Sequence, residues 1–332
     1  SSLPGTPMGS RLVFLDKLCY DTSAKEVTLM INFHRPQFHD KEAYESILFS
    51  CPTRGCEFSF ANLTLWGRQN VAFIHDCVAI FSHYYGKSVY PYPIGNGDKK
   101  AVMEDILHDA KMRGIPCRIT GMTDADREEL ETLFPDKFTF RTDRDGFDYV
   151  YAIDDLADLK GRKYQKKRNH YNRFCTQYPD HEILPLNECN MDRARRLVDQ
   201  WYYSHMRSNP ERNFLLENIA MARAFQNYRA LDLEGCILLV NGEAAAVTMA
   251  TRLSEDTFDI HFEKARDDID GSYGAINCEF ARYLRLKYPE AQFLNREEDM
   301  GLEGLRKAKL SYLPHHMVEK YWAYLVEDLN EN

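Results

Sequence analysis

The segment Cys236-Ile237-Leu238-Leu239-Val240-Asn241-Gly242-Glu243-Ala244-Ala245-Ala246-Val247-Thr248-Met249-Ala250-Thr251-Arg252-Leu253 reads as two apolar strands turned back on each other. Asn241-Gly242 is the strongest short hairpin signal, because both turn positions of the favoured two-residue loop need positive φ. Thr257 to Lys264 alternates as a third strand. Asp270-Gly271-Ser272-Tyr273-Gly274-Ala275 then opens an amphipathic helix carrying Ile276, Phe280, Leu284 and Leu286, which Pro289 stops. Gln292 to Leu294 is a strand, Gly301 to Lys309 a short helix, and Met317 to Leu325 a final aromatic strand.

Working outward, the first half repeats this order. Val71-Ala72-Phe73-Ile74, Val78-Ala79-Ile80-Phe81 and Val89-Tyr90-Pro91-Tyr92 are successive antiparallel strands. Gly95-Asn96-Gly97-Asp98 is a turn whose aspartate caps a helix with apolar Val102, Ile106, Leu107 and Ala110, ended at Gly114. Cys117 to Thr120 is a strand, Thr123 to Phe134 a second capped helix, and Phe147 to Ile153 the closing strand. Seeing one plan twice predicts a duplicated unit. Residues 1–10 have linker composition, so the expected division is 11–157 and 158–332, with a helical link over Asp154 to Tyr178.

Composition narrows the function. A net charge of -9 argues against wholesale nucleic-acid binding but leaves local basic patches open. No run approaches the length of a membrane helix, and the start lacks a secretory apolar segment. Nine cysteines without any CxxC predict reduced thiols and a cytoplasmic setting. Cys51 and Cys56 have no second ligand pair at zinc spacing, so no metal is expected.

Several places have the residue types for chemistry. The turn Gly271, Ser272, Tyr273, Gly274 and Ala275 offers free amides and a positive helix end to a phosphate, unless the glycines only ease the turn. Asn295, Arg296, Glu297 and Asp299 follow a strand directly, where open sheets place ligands, and can clamp a carboxylate and an ammonium group. Lys307, Lys309 and Tyr312 can stabilise developing negative charge or handle a proton, against the alternative of a solvated charged face. Glu263 near a strand end is a candidate base, and His261 is expected two residues earlier on the same face. Finally, Lys160 to Arg173 holds seven basic residues and no acidic one, with Tyr164 and Tyr171 interleaved. Arg162, Lys163, Lys166, Lys167 and Arg168 suit a polyanion such as RNA, or else dock a basic face on an acidic body.

Phe262-Glu263-Lys264-Ala265, the Tyr273-Gly274-Ala275-Ile276-Asn277 helix start, and above all the run from Asn295 through Tyr312 resemble the phosphatidylglycerol lysyltransferase C-terminal (DUF2156-like) family. The Gly161 to His170 run is similar to stand-alone, uncharacterised bacterial members. In topology the resemblance spans Leu12 to Leu325. It implies an α/β (α+β) fold of two tandem GNAT-like acyltransferase units, each a mixed, mostly antiparallel sheet flanked by helices. Membrane relatives transfer lysine or alanine from aminoacyl-tRNA to a phosphatidylglycerol hydroxyl, whereas acetyltransferases of this fold use coenzyme A with its pyrophosphate on the glycine turn. The sequence lacks the membrane region of the former, and Asp270 to Ala275 lacks the Arg or Gln of the latter's turn. The expectation is an acyl- or aminoacyltransferase with no tightly bound cofactor, taking its donor as a coenzyme A thioester or an aminoacyl-tRNA. The reading from another class is a non-catalytic RNA- or nucleotide-binding protein working through residues 160–173.

Overall fold

The computed structural model describes residues 30–52, 54–84, 86–208 and 214–330; the linker-like start and Cys19 lie outside the described residues. The first half runs α1 (Lys41–Phe49), α2 (Phe60–Trp66), β1 (Gln69–Ile74), β2 (Cys77–Tyr84), β3 (Lys87–Pro91), β4 (Ile94–Gly95), α3 (Lys99–Arg113), β5 (Arg118–Met122), α4 (Asp124–Leu133), β6 (Phe138–Thr142) and β7 (Asp148–Ala152). A link follows through α5 (Ile153–Asp158) and α6 (Gln165–Gln177). The second half runs β8 (Glu182–Pro185), α7 (Met191–Ser208), α8 (Leu215–Gln226), β9 (Glu234–Val240), β10 (Glu243–Arg252), β11 (Thr257–Ala265), α9 (Ser272–Lys287), β12 (Phe293–Asn295), α10 (Glu303–Leu310), β13 (His316–Val318), β14 (Tyr321–Leu325) and α11 (Val326–Asn330).

Local chemistry accounts for the element ends. Asp98 accepts a hydrogen bond from the Ala101 amide at the start of α3, and Gly114 ends that helix at φ 64°. Thr123 and Asp126 form a reciprocal capping box on α4. Asn241 and Gly242 both take positive φ, 51° and 76°, which closes the β9–β10 hairpin.

Two seven-stranded mixed sheets result, ordered β1-β2-β3-β5-β14-β6, with β4 beside β2, and β13-β7-β12-β11-β10-β9-β8. Each half lends a strand to the other. The strand expected to close the first unit, β7, pairs instead with β12 and β13 in the second sheet. The expected single strand Met317 to Leu325 is broken at Glu319-Lys320; β13 stays in the second sheet while β14 crosses to pair with β5 and β6. A cut at 157/158 therefore separates the halves along the chain, whereas the hydrogen-bonded sheets cross it. The reason is that strand pairing is non-local: an alternating pattern says that a strand forms, not which edge receives it. A shared core reinforces the exchange, with Tyr44, Phe58 and Leu63 of the first half packed with Val247, Met249 and Phe262 of the second.

Candidate functional site

The site lies where β11 and β12 part. These parallel neighbours pair only over Thr257–Asp259 and Phe293–Asn295. Beyond that point the chain after β12 turns away, and the gap between the splayed strands is where an open sheet accepts a ligand. β11 also carries a bulge: Met249 pairs with Phe262 and Ala250 with Ile260, so His261 is the extra residue. The bulge breaks the alternation expected from the sequence. Glu263 faces Asn277 and Arg296, whereas His261 faces Asp259 and Glu297.

On the Glu263 side, Arg296 donates to the Glu263 carboxylate at 2.9 Å, both side chains being largely buried. Burial opposes the Arg296 charge, but Glu263 offsets this and raises its pKa. The other Glu263 oxygen accepts from Asn277 Nδ2 at 3.4 Å, tying the pair to the first turns of α9. Arg296 lies over the Tyr312 ring, 5.4 Å to the centroid, and Lys167 of α6 lies over the same ring at 3.7 Å. Lys167 also donates to Ser311 at 2.7 Å. Burial lowers its pKa, and the nearby Arg296 charge pushes in the same direction. Burial raises the Tyr312 phenol, with Arg296 opposing, so Tyr312 holds its proton at neutral pH.

The glycine turn completes this corner. Gly271 caps α9 at φ 86°, a conformation that disfavours any Cβ. Ser272 N–H bonds to the Ile269 carbonyl and Ala275 N–H to that of Gly271, which leaves the Tyr273 and Gly274 amides at a helix start with no intrahelical carbonyl in reach. The Tyr312 hydroxyl stands 3.6 Å from where a Cβ on Gly274 would sit, so turn and charged cluster are neighbours. The basic α6 lies along them: Phe174 packs under Gly271, and Arg173 pairs with Asp270 at 2.5 Å. Tyr273, partly exposed, accepts from Trp201 Nε1 at 3.1 Å. Alanine at 271 would meet Phe174 Cβ at 3.0 Å in a left-handed conformation. Gly271→Ala is expected to cost about 1–2 kcal/mol; an unchanged thermal midpoint would show that neither the φ nor the packing matters.

Other sequence candidates are placed elsewhere. Lys309 is buried, with Nζ donating to the carbonyls of Arg296, Glu297 and Glu298 at 2.5–3.1 Å, so it holds the loop rather than facing the gap. Asp299 is fully buried and bonded by Arg306 at 2.8 Å and Tyr149 at 2.5 Å, which hold its carboxyl far below the usual range. Asn295 is buried between Asp148 and the Glu297 amide. Lys307 is exposed and paired with Glu303 at 3.0 Å on α10. Ser272 donates to the Arg266 carbonyl, and Ala275 lies in the core. Arg162 and Lys166 are exposed, Lys163 pairs with Asp155, and Arg168 is tied to the Leu159 and Gly161 carbonyls. Trp201 is a residue the sequence did not mark, and Asn277 was noted only as part of the helix-start motif; the approach of α7 and α9 brings both in. A cleft of about 450 Å³ lined by Lys41, Glu45, Arg229, Asp232 and Arg252 shares no residue with this cluster, and Lys41 there is already neutralised by Glu45 and Asp232.

Residues 49–324 match the family described as phosphatidylglycerol lysyltransferase, C-terminal. The chain belongs to that family. The family's description names a lysyltransferase. It is 37% identical to a conserved protein of unknown function from Bacteroides thetaiotaomicron, over 89% of this chain and 100% of that one, with a TM-score of 0.85. The L-PGS of Bacillus licheniformis has the same fold at 16% identity, covering 86% of this chain and 92% of that one, with a TM-score of 0.61. An uncharacterised protein of Mycoplasmoides gallisepticum is 22% identical over 182 residues, 52% of this chain and 54% of that protein, so the chain spans about half of that relative's length. Among the described residues, no helix is long and apolar enough to cross a membrane.

Proposed function

We propose that the chain is an aminoacyltransferase that takes an aminoacyl group from the 3′ end of a charged tRNA and passes it to a hydroxyl or amine acceptor. The observation that carries this reading is the Arg296–Glu263 pair in the gap between β11 and β12, next to Tyr312 and the α9 start. Transfer from an ester needs a donor for the oxyanion that forms on the carbonyl, and a base for the incoming nucleophile. Arg296 and the protonated Tyr312 are suited to the first task, and Glu263 to the second once substrate displaces its partner. The free amides of Tyr273 and Gly274 suit the terminal phosphates of the donor. A polyanionic donor also gives the exposed Arg162 and Lys166 a role beside this corner, which a small thioester would not.

The test is to incubate the full chain separately with lysyl-tRNA, alanyl-tRNA and acetyl-coenzyme A, following the label in each. Loss of label from a charged tRNA, with acetyl-coenzyme A untouched, is expected. Consumption of acetyl-coenzyme A alone would replace the donor, and neither turnover nor binding of any of them would refute the reading. Charge reversal at Arg162 and Lys166 is expected to weaken tRNA binding by about tenfold and flatten its salt dependence. Lys167 and Arg168 are unsuitable for that test because both hold local structure. Unchanged affinity in a filter-binding salt series would remove the basic helix from donor recognition.

A further inference from the structure

Behind the Arg296 corner lies a second group of chemistry-bearing side chains that the proposed reaction does not use. His261 Nδ1 stands 3.4 Å from an Asp259 oxygen and 3.5 Å from a Glu297 oxygen, and the three ligand atoms all lie within 4.8 Å of one another. The His261 side chain is 1% exposed and that of Asp259 0%, yet His261 Nδ1 and Asp259 Oδ1 have no hydrogen-bond partner. The Asp259 oxygen nearest His261 is Oδ2, which accepts from Ser59. Buried polar atoms are nearly always satisfied, so two orphans in one small cluster still need an explanation. A shared N–H is a poor one, since both distances exceed the usual N–H···O range.

Neighbouring cations do not supply it. Lys320 is engaged by Asp148 at 2.6 Å and Glu57 at 2.7 Å, and Lys309 by backbone carbonyls. Among the described residues, no lysine or arginine forms an ion pair with Asp259 or Glu297. Meanwhile His261 Nε2 meets Thr251 Oγ1 at 2.7 Å, the kind of outer contact that orients an imidazole whose other nitrogen binds a metal. Ser59 donates to Asp259 at 3.1 Å and Asn62 to Glu297 at 3.3 Å, so α2 of the first half buttresses both carboxylates.

We infer that Asp259, His261 and Glu297, all of the second half, form a binding site for one divalent transition-metal ion, with Ser59 and Asn62 of the first half holding the two carboxylates in place. Ligand atoms about 2.1 Å from a tetrahedral metal stand about 3.4 Å apart, which matches the His261 distances. One imidazole and two carboxylates suit Zn²⁺ or Mn²⁺ rather than the all-oxygen sets of Ca²⁺ and Mg²⁺. Glu297, whose side chain is 20% exposed, leaves a way in from solvent. Spacing along the sequence gave no warning, because the third ligand comes from beyond another strand end and the second is itself the bulged residue. The neighbouring trio Cys56, Asp148 and Glu298 is the natural competitor, but Lys320 already serves it.

The experiment is a titration of the full chain, first stripped with chelator, with Zn²⁺, Mn²⁺ and Co²⁺, read by calorimetry, bound-metal analysis and the visible spectrum of the cobalt form. About one equivalent is expected to bind and to raise the thermal midpoint. Asp259→Asn and His261→Gln are each expected to weaken binding by about tenfold or more, while Cys56→Ser leaves it unchanged. The cobalt spectrum is expected to lack a thiolate charge-transfer band, a readout that does not depend on how well any variant folds. No stoichiometric binding, or equal affinity in D259N and H261Q, would overturn the assignment. A thiolate band would do so too, by moving the ion to Cys56. So would a chain indifferent to metals but stabilised by an alkylamine such as cadaverine, which would give the pocket to an ammonium group. None of these outcomes bears on whether charged tRNA is consumed.

Discussion

Replacing Lys320 with methionine is expected to lower the unfolding free energy by about 4 kcal/mol, the range for breaking a buried charge pair. Lys320 immediately precedes β14, the strand that crosses between the sheets, and its ammonium lies between Asp148 of β7 and Glu57 at 2.6 and 2.7 Å. It thus joins the two exchanged strands to the segment before α2. Burial alone would lower its pKa, but Asp148 with Cys56, Glu57 and Glu298 overrules burial and holds the ammonium well above its ordinary range. Asp148 further accepts from the Cys56 amide at 2.7 Å and from Asn295 at 2.9 Å, so the loss spreads into the loop that carries Arg296. The sign of the pH response follows. Burial already raises Glu57 and Glu298, and without Lys320 they rise further. The folded chain then keeps protons that the unfolded chain releases, so the stability of the K320M variant should increase as pH falls from about 7 toward about 5. Urea midpoints at the two pH values measure this. Asp148→Asn in the same background should recover part of the loss, and a midpoint equal to wild type at neutral pH would show that the cluster contributes nothing to stability.

Arg296→Met is expected to produce two separable losses. Removing the guanidinium leaves Glu263 largely buried without its cation, at a cost of about 3 kcal/mol. Glu263→Gln added to it removes the orphaned charge, and the double variant should regain most of that stability. Transfer should not return with it. If Arg296 stabilises the oxyanion, single and double variants alike should lose about 100-fold or more in turnover. A double variant that recovered turnover along with stability would make Arg296 a structural residue and shift the reaction elsewhere along β11. A single variant that kept wild-type stability would mean that the buried pair is better solvated than its geometry indicates.

Some of this was legible without coordinates, because it depends on near neighbours along the chain. Asp98 and Thr123 cap helices because their oxygens reach amides three residues ahead, and Asn241-Gly242 closes a hairpin because its two residues tolerate positive φ. Gly271 at the start of α9 and the run from Asn295 to Tyr312 stood out for the same reason: turn chemistry and local charge are written in consecutive residues. From these the repeated plan, the family and Glu263, Arg296 and Tyr312 as separate candidates could be named, but not that the three meet in one corner.

What required the tertiary structure depends on residues far apart. The chain pattern makes β7 and β14 strands, but only the sheets decide that each pairs in the other half, since any open edge offers the same backbone donors and acceptors. A bulge one residue long turns His261 toward Asp259 and away from Glu263, because a single added residue reverses the phase of a strand. Lys309 and Lys307, two residues apart on one helix, end up as a buried loop brace and a solvated surface charge. Their chemistry is identical in sequence; burial, set by what packs against each face of α10, gives them different roles.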